Sequence, residues 1–323
     1  MLLGIPRGFF YYDYNPFITT IFENTGCRLV MGKDNDHETL ERGMEHTVDE
    51  ACMPVKLFAG QIEKLVEECD YILLARVMKD CKGKWLCPKL LGLPELCVGS
   101  SGKEKLISTE PLYFNDKRLL KKAMWKVCRQ MKVNKRVFDF NFDRAYREQL
   151  RIAQGKSRAY VEAAWEFVPD IPKEGEIILP NTRTVFLAGH CYNVFDKFSN
   201  GNIMKKLDEL GIGIVTEKDI LQREKEKALN SAGLMKEPYW ESVERILGGI
   251  LCAKDRVDGI IYLSSFSCGQ DSIILELVKY YAGDMPMLVL KLDEHQASAG
   301  VETRLEAFDD LLRREGDDDR YIS

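Results

Sequence analysis

Short apolar runs of strand length alternate with segments of helical period along this chain, and that alternation restricts the fold more than any single motif. LLGIPRG at the start reads as a buried strand followed by a Gly/Pro turn. Residues 16–26 follow with Phe17, Ile21 and Phe22 on one side, and RLVM at 28–31 reads as a second strand. Residues 55–69 place Phe58, Ile62, Leu65 and Val66 at helical spacing, with the helix beginning near Val55, before the apolar strand YILLA at 71–75. Such βα repetition predicts mostly parallel sheets covered by helices, because parallel strands buried on both faces read as continuous apolar runs.

The pattern then changes. Residues 104–170 carry LLKKAMWKVCRQ and the stretch from Asp143 to Trp165, with bases, acids and large apolar groups at helical spacing, so helices are expected there. PDIPKEGE punctuates the chain. A second series follows: strand 184–189, helix 201–210, strand 212–215, helix 239–252, strand 258–263, helix 271–281, strand 287–291 and helix 301–315, with the tail REGDDDRYIS facing solvent. The fold class expected is therefore α/β, with two Rossmann-like parallel-sheet domains and an intervening helical segment. The expected boundaries are 1–103 for the N-terminal α/β domain, 104–178 for the helical linking region and 179–323 for the C-terminal α/β domain. A length of 323 residues and 45% hydrophobic composition suffice for two such cores.

Charge and patterning remove several function classes. A formal net charge of −5 opposes non-specific nucleic-acid binding, which depends on neutralising phosphates. No apolar run approaches the roughly 20 residues that span a bilayer, and no leader-like pattern is present, so neither membrane insertion nor export is expected and the expected location is cytoplasmic. GIPRG is not the GxGxxG dinucleotide fingerprint, and neither a GxxxxGK[ST] loop nor a Gly-x-Ser-x-Gly elbow occurs.

In a reducing compartment ten cysteines mean buried thiols, metal ligands or redox groups rather than a disulfide framework. Four of them occupy Gly/Pro-rich or strand-exit contexts: Cys52 in EACMPVK, Cys87 in WLCPKLLGLP, Cys191 in LAGHCYN and Cys268 in SSFSCGQDS. Loops leaving the carboxyl ends of parallel strands line the usual ligand crevice, and a thiol near a helix N-terminus favours its thiolate. Four thiolates suit an iron–sulfur cluster. They suit zinc as well, although compact zinc sites use pairs such as CxxC and the nearest pair here, Cys81 and Cys87, has five intervening residues. Cys27, Cys69, Cys97, Cys128 and Cys252 read as small core residues.

His190, beside Cys191, is a candidate catalytic residue that could donate to a cluster sulfur or a substrate oxygen, or simply orient its loop. His295, in KLDEHQASAG, is a second candidate as a general acid, against a local salt bridge or domain contact. Arg7 and Lys56 could attract an anionic group, or pair with nearby acids.

GIPRGFFYYDYNPF, ACMPVKLFAGQIEKL, WLCPKLLGLPEL, GHCYNVFDKFSNGNI, SSFSCGQDS and LVLKLDEHQASAGVETRLEAF make nearly the whole chain resemble the acyl-CoA dehydratase activase-related family, allied to the 2-hydroxyacyl-CoA dehydratase subunits and double-cubane-cluster reductases. The resemblance implies paired α/β domains with a cysteine-bound iron–sulfur cluster of the [4Fe-4S] type between them. Cys52, Cys87 and Cys268 lie in the family-like contexts ACMPVK, LCPK and SFSCGQD. The position of Cys191 in GHCYN is commonly proline in related proteins, so Cys191 is a fourth ligand, a lineage-specific substitution or a nearby thiol; without it, a non-cysteine ligand, Cys81 or an open iron position completes the set. The partners implied are a separate ATP-dependent activator or electron donor and a small-molecule or acyl-CoA substrate, with a homodimer also open. The function implied is low-potential electron transfer or reductive activation, as in acyl-CoA dehydration. A noncatalytic cluster carrier and a zinc-dependent hydrolase are the alternatives.

Overall fold

A computed structural model describes residues 1–96, 102–154, 183–295 and 298–321. Two compact units are present: one contains the described residues up to 154 together with Pro238–Glu241, and the other contains the rest from 183 onward.

The first unit runs β1 (Leu2–Ile5), α1 (Phe10–Phe22), β2 (Arg28–Met31), α2 (His37–Glu45), α3 (Met53–Glu68), β3 (Tyr71–Leu74), β4 (Val77–Lys79), α4 (Lys89–Leu96), β5 (Leu106–Ser108), β6 (Leu112–Tyr113), α5 (Lys117–Gln130) and α6 (Lys135–Ala153). Its main sheet is parallel, in the order β2-β1-β3-β5, and β4 pairs with β6 in a small parallel extension. Leu3, Ile5, Ile72 and Leu73 are wholly buried in that sheet, as continuous apolar strands require. The long amphipathic helices follow from capping as well as pattern. Asp116 accepts from the Leu119 amide at 2.9 Å at the start of α5, and Asn134 accepts from the Arg136 amide at 2.9 Å at the start of α6. Helix α6 brings Phe138 and Phe142 into a buried aromatic cluster with Phe17 and Phe114, and Asn141 donates to the carbonyls of Ile21 and Glu23.

The second unit runs β7 (Thr184–Gly189), α7 (Cys191–Val194), α8 (Ile203–Glu209), β8 (Gly213–Thr216), α9 (Gln222–Ser231), α10 (Glu241–Ala253), β9 (Gly259–Ser265), α11 (Gly269–Ala282), β10 (Met287–Leu292) and α12 (Ser298–Tyr321). Its parallel sheet has the order β10-β9-β7-β8. Both central strands are buried along their full length.

The expected α/β class holds: two Rossmann-like parallel sheets with a helical stretch between them in sequence. The differences are local. Residues 104–170 are not helical throughout, because Leu106–Ser108 forms the edge strand of the first sheet and Leu112–Tyr113 pairs with β4. These strands are only three and two residues long, too short for period-two alternation to register. The stretch expected to be helical through Trp165 and the PDIPKEGE punctuation fall partly or wholly outside the described residues.

Helix α1 begins six residues before Pro16, so the proline sits inside it and the Tyr12 carbonyl loses its usual helical donor. Helix α3 begins at Met53, two residues ahead of Val55. Helix α12 continues to Tyr321, through most of the tail read as solvent-facing. Helices α2, α4, α7 and α9 are additional to the sequence reading, and α4 forms although Gly92 and Pro94 in the segment after Cys87 argue against an uninterrupted helix. Helix α2 buries only Thr39, Leu40 and Gly43, which leaves little apolar periodicity to read.

Gly43 and Gly60 instead let α2 and α3 cross at backbone distance: a Cβ on Gly60 would overlap the Thr39 carbonyl, and one on Gly43 the Lys56 carbonyl. Gly60→Ala is expected to cost about 2–3 kcal/mol in urea denaturation, the usual scale of overpacking. Gly92→Ala, with open space around it in α4, should instead stabilise by about 0.5 kcal/mol.

In the second unit Glu217 is buried against Lys225, Lys218 and Arg245. Burial alone would raise its pKa, but the cations override it and hold the carboxyl well below its usual value. A carboxyl depressed in this way contributes stability above its unfolded pKa of about 4.3, and that share is lost as pH falls through the folded value. Glu217→Gln should therefore cost about 3 kcal/mol near neutral pH and flatten the acid limb of a stability–pH profile measured by denaturant titration.

Candidate metal centre

In the second sheet the chain leaves β7 for β8 on one side and returns to β9 on the other. Connections diverge between β7 and β9, and this reversal opens a crevice at the carboxyl ends of the two strands. His190 and Cys191 follow β7 directly, and Cys268 lies three residues beyond β9.

Two backbone features set these residues in place. Gly189 pairs with Leu263 at φ +145°, and a Cβ there would lie 2.6 Å from the Leu263 carbonyl, so glycine keeps the strand ends together where His190 emerges. Ser267 occupies the left-handed region at φ 61°, and Cys268 N–H donates to the Ser265 carbonyl at 3.1 Å. That turn delivers Cys268 as the N-cap of α11, where the helix dipole favours a thiolate.

His190 Nε2 lies 3.8 Å from Cys268 Sγ and 3.4 Å from Asp271 Oδ1. The three ligand atoms lie within 4.8 Å of one another, a group able to hold a metal ion. Asp271 is wholly buried. Its Oδ1 accepts from Tyr262 OH at 2.8 Å, and its Oδ2 accepts from the Ser265 amide at 3.2 Å. Burial and the neighbouring Asp271 charge hold the Tyr262 hydroxyl well above its usual pKa, so it remains a donor. Ser265 Oγ donates to Asn193 Oδ1 at 2.9 Å, which ties β9 to α7. The His190 ring stacks on Tyr192 with centroids 5.0 Å apart.

This geometry differs from a nucleophilic triad. A triad histidine serves nucleophile and carboxylate through opposite ring nitrogens. Here both contacts are made by Nε2. Ligand atoms converge on one locus, as metal coordination or a shared N–H donor requires.

The first unit places two more of the expected cysteines. Cys52 is the N-cap of α3, and α3 runs back into β3, so its N-terminus lies at the carboxyl edge of the first sheet. Burial raises the Cys52 thiol pKa, and the Lys89 charge opposes the rise without cancelling it. Cys87 lies just before α4 and beyond β3: Leu86 N–H donates to the Met78 carbonyl at 3.0 Å, and the Cys87 carbonyl accepts from Leu90 at 3.0 Å. Trp85, beside it, stacks on Tyr239 and carries the Lys79 ammonium 4.3 Å from its ring centre.

Of the expected residues, then, His190 and Cys268 are brought together. Cys191 is 2% exposed at the start of α7 and lies outside the three-ligand group. His295 is exposed on the turn after β10, its amide donating to Asp293 at 2.9 Å, and also lies outside the group. Arg7 pairs with Asp34, and Lys56 donates to the Asp49 carbonyl at 3.0 Å.

Burial and Asp80 push the Cys81 thiol up to about 12, and burial with Cys27 nearby does the same to Cys128, so both stay protonated. Cys97 lies outside the described residues. Asp271 and Tyr262 were missed by sequence reasoning. The signal for Asp271 was its i+3 spacing from Cys268 at a helix start, which puts both on one face.

Residues 3–220 match the family model described as CoA enzyme activase uncharacterised domain (DUF2229), and the chain belongs to that family. No curated protein matches the chain. No helix among the described residues is long and apolar enough to cross a membrane.

Cobalt(II) added to metal-free protein is expected to give a thiolate-to-cobalt charge-transfer band that Cys268→Ala removes and the core variant Cys128→Ala retains. A band of unchanged intensity in Cys268→Ala would contradict ligation at this site. Tyr262→Phe should cost about 1–2 kcal/mol in urea denaturation, because it strips a donor from a buried carboxylate.

Proposed function

We propose that this protein is an iron–sulfur component for low-potential electron transfer or reductive activation of a small substrate, of the type used in acyl-CoA dehydration. The observation that carries the reading is the thiol of Cys268, held at the N-terminus of α11 in the crevice between β7 and β9 with His190 Nε2 at 3.8 Å. Family membership in a CoA-enzyme-activase group supports the same chemistry.

The proposed thiolate ligands are Cys52, Cys87 and Cys268, with Cys191 as the candidate fourth. Two observations support this set: the described cysteines are all free thiols, and Cys268 caps a helix whose positive end favours anionic sulfur; Cys52 also caps a helix, with burial raising its thiol pKa. A bound cluster would supply single electrons at low potential. The residues around Cys268 hold and orient. Asp271 fixes the His190 ring, Tyr262 and the Ser265 amide fix Asp271, and His190 presents its Nε2 to the Cys268 sulfur.

Because the chain carries no phosphate-binding nucleotide loop, an ATP-dependent activator or other electron donor is proposed as a separate partner, and the free thiols suit a reducing, cytoplasmic setting. A small-molecule or acyl-CoA substrate is the proposed target, with His295 retained as a candidate proton donor beside the crevice-forming strands.

A second reading, a mononuclear zinc hydrolase, is favoured by one observation: His190, Cys268 and Asp271 offer three mixed ligands, as catalytic zinc sites do. The Tyr262 hydroxyl and the Ser265 amide, one on each Asp271 oxygen, are the donors that would orient such a carboxylate.

Iron and acid-labile sulfide in anaerobically purified protein, with electron paramagnetic resonance after controlled reduction, separate the two. About four irons and four sulfides per chain with a reducible signal are expected. Stoichiometric zinc without sulfide would replace the reading with the second one.

A further inference from the structure

The helical hairpin α5–α6 departs from the charge of the rest of the chain. Between Lys117 and Gln154 there are twelve lysines and arginines and only three acids, a net of +9, which leaves the remaining residues at −14 within a total of −5. Like charges one helical turn apart, such as Arg118 with Lys122 and Lys122 with Lys126, oppose helix formation, so local stability does not account for the pattern.

The neighbouring acids are already engaged. Lys117 meets Asp143 at 2.8 Å and Lys121 meets Asp139 at 3.0 Å, which closes the seam between two antiparallel helices, and Lys135 also pairs with Asp139. Glu110 is held by Lys126, Glu23 by Arg144 and Glu148 by Arg151. Six further bases, Arg118, Lys122, Arg129, Lys132, Arg136 and Arg147, are exposed.

Helical spacing gathers these charges on one side. Arg118, Lys122 and Arg129 form a stripe on α5, and Arg136, Phe140, Arg144, Arg147 and Arg151 form another on α6. Arg118 and Lys122 follow the seam residues Lys117 and Lys121 by one position, as Phe140 and Arg144 follow Asp139 and Asp143. In an antiparallel pair that single step turns both helices toward the same side, away from the buried Val127 and Ala145. Phe140, 70% exposed, sits within the α6 stripe.

Helices of 14 and 19 residues give a face about 20–30 Å long and roughly two helix widths across, on the order of 500 Å². Contact over it would bury about 1,000 Å² in total, the range of brief electron-transfer encounters rather than permanent complexes. A long polyphosphate or a flat anionic bilayer would extend past this face onto the acidic remainder of the chain and be repelled there, whereas a partner of domain size need cover the face alone.

We propose that the outer face of α5–α6 is the docking surface for a small acidic electron-carrier protein. The inference rests on the reading of this protein as one that receives electrons from a separate donor. Charge steers the encounter and Phe140 supplies an apolar centre, a combination that favours fast association.

The test uses the full chain, reconstituted anaerobically with its iron and sulfide counted, and a plant-type ferredoxin as the acidic carrier probe. Binding measured by isothermal titration calorimetry should weaken about tenfold between about 50 and about 200 mM salt. The triple reversal Arg118→Glu, Lys122→Glu and Arg136→Glu should weaken it by more than about tenfold with cluster content unchanged. Reversal of three exposed bases elsewhere, Lys33→Glu, Lys205→Glu and Arg223→Glu, should leave the affinity within about twofold. If the first reversal fails to fold, the neutral set Arg118→Gln, Lys122→Gln and Arg136→Gln carries the same direction. Unchanged affinity in a folded charge-altered set, or no binding by a fully loaded wild-type chain, overturns the docking face and leaves the iron–sulfur reading standing. Tighter binding of duplex DNA or of phosphatidylserine vesicles through the same residues also overturns it, in favour of that partner. A chain that binds the carrier through this face but holds neither iron nor sulfide supports the docking face and overturns the proposed function instead.

Discussion

The constraint on which this structure depends is the reversal of strand order beside the first strand of each sheet. In the first unit the order is β2-β1-β3-β5 and in the second it is β8-β7-β9-β10 read from the opposite edge, so each chain segment starts in the middle, steps outward once and then crosses back. Both units thus carry the same arrangement, and each opens a crevice where its connections part. Candidate ligands fall at the carboxyl edge in both units: Cys52 at the start of α3 in one, and His190 and Cys268 in the other. These candidate residues are not close in sequence. Parallel topology sends each of them to the carboxyl edge of its own sheet.

Electrostatics then decides what that edge can hold. A bare thiol in a protein interior is pushed toward its neutral form, as Cys81 and Cys128 are, and a neutral thiol is a poor ligand. Burial raises the Cys52 thiol as well, with the Lys89 charge only opposing the rise, whereas Cys268 stands at the start of α11 with His190 Nε2 facing it at 3.8 Å. The buried Asp271 keeps His190 from turning away, and Tyr262 keeps Asp271 from turning away. Polar groups so deeply buried are costly unless satisfied, which explains why this short chain of contacts is complete.

Much of the fold was legible from apolar runs alone. TVFLAG and GIIYLSS announce central parallel strands because both faces are covered, and YILLA does so for the first sheet. What stayed hidden lacked an apolar signature. LIS and LY are too short to show a period, and HETLERGME buries one large apolar side chain, Leu40, and otherwise packs through Gly43. The site was half legible. His190 and Cys268 stood out as chemistry-bearing residues at strand exits, whereas Asp271 looked like an ordinary acid in the first turn of a helix until the fold buried it. Cys191 stood out equally, yet its side chain is packed into the core of its unit, which no residue spacing could reveal.

The central claim is that the edge thiolates of this fold hold iron bridged by sulfide. Mössbauer spectroscopy of anaerobically reconstituted protein, enriched in the Mössbauer-active iron isotope, tests it most directly. The account predicts the spin-coupled, tetrahedral-sulfur signature of a cluster for most of the bound iron. A spectrum of isolated iron ions with nitrogen and oxygen ligands would contradict it.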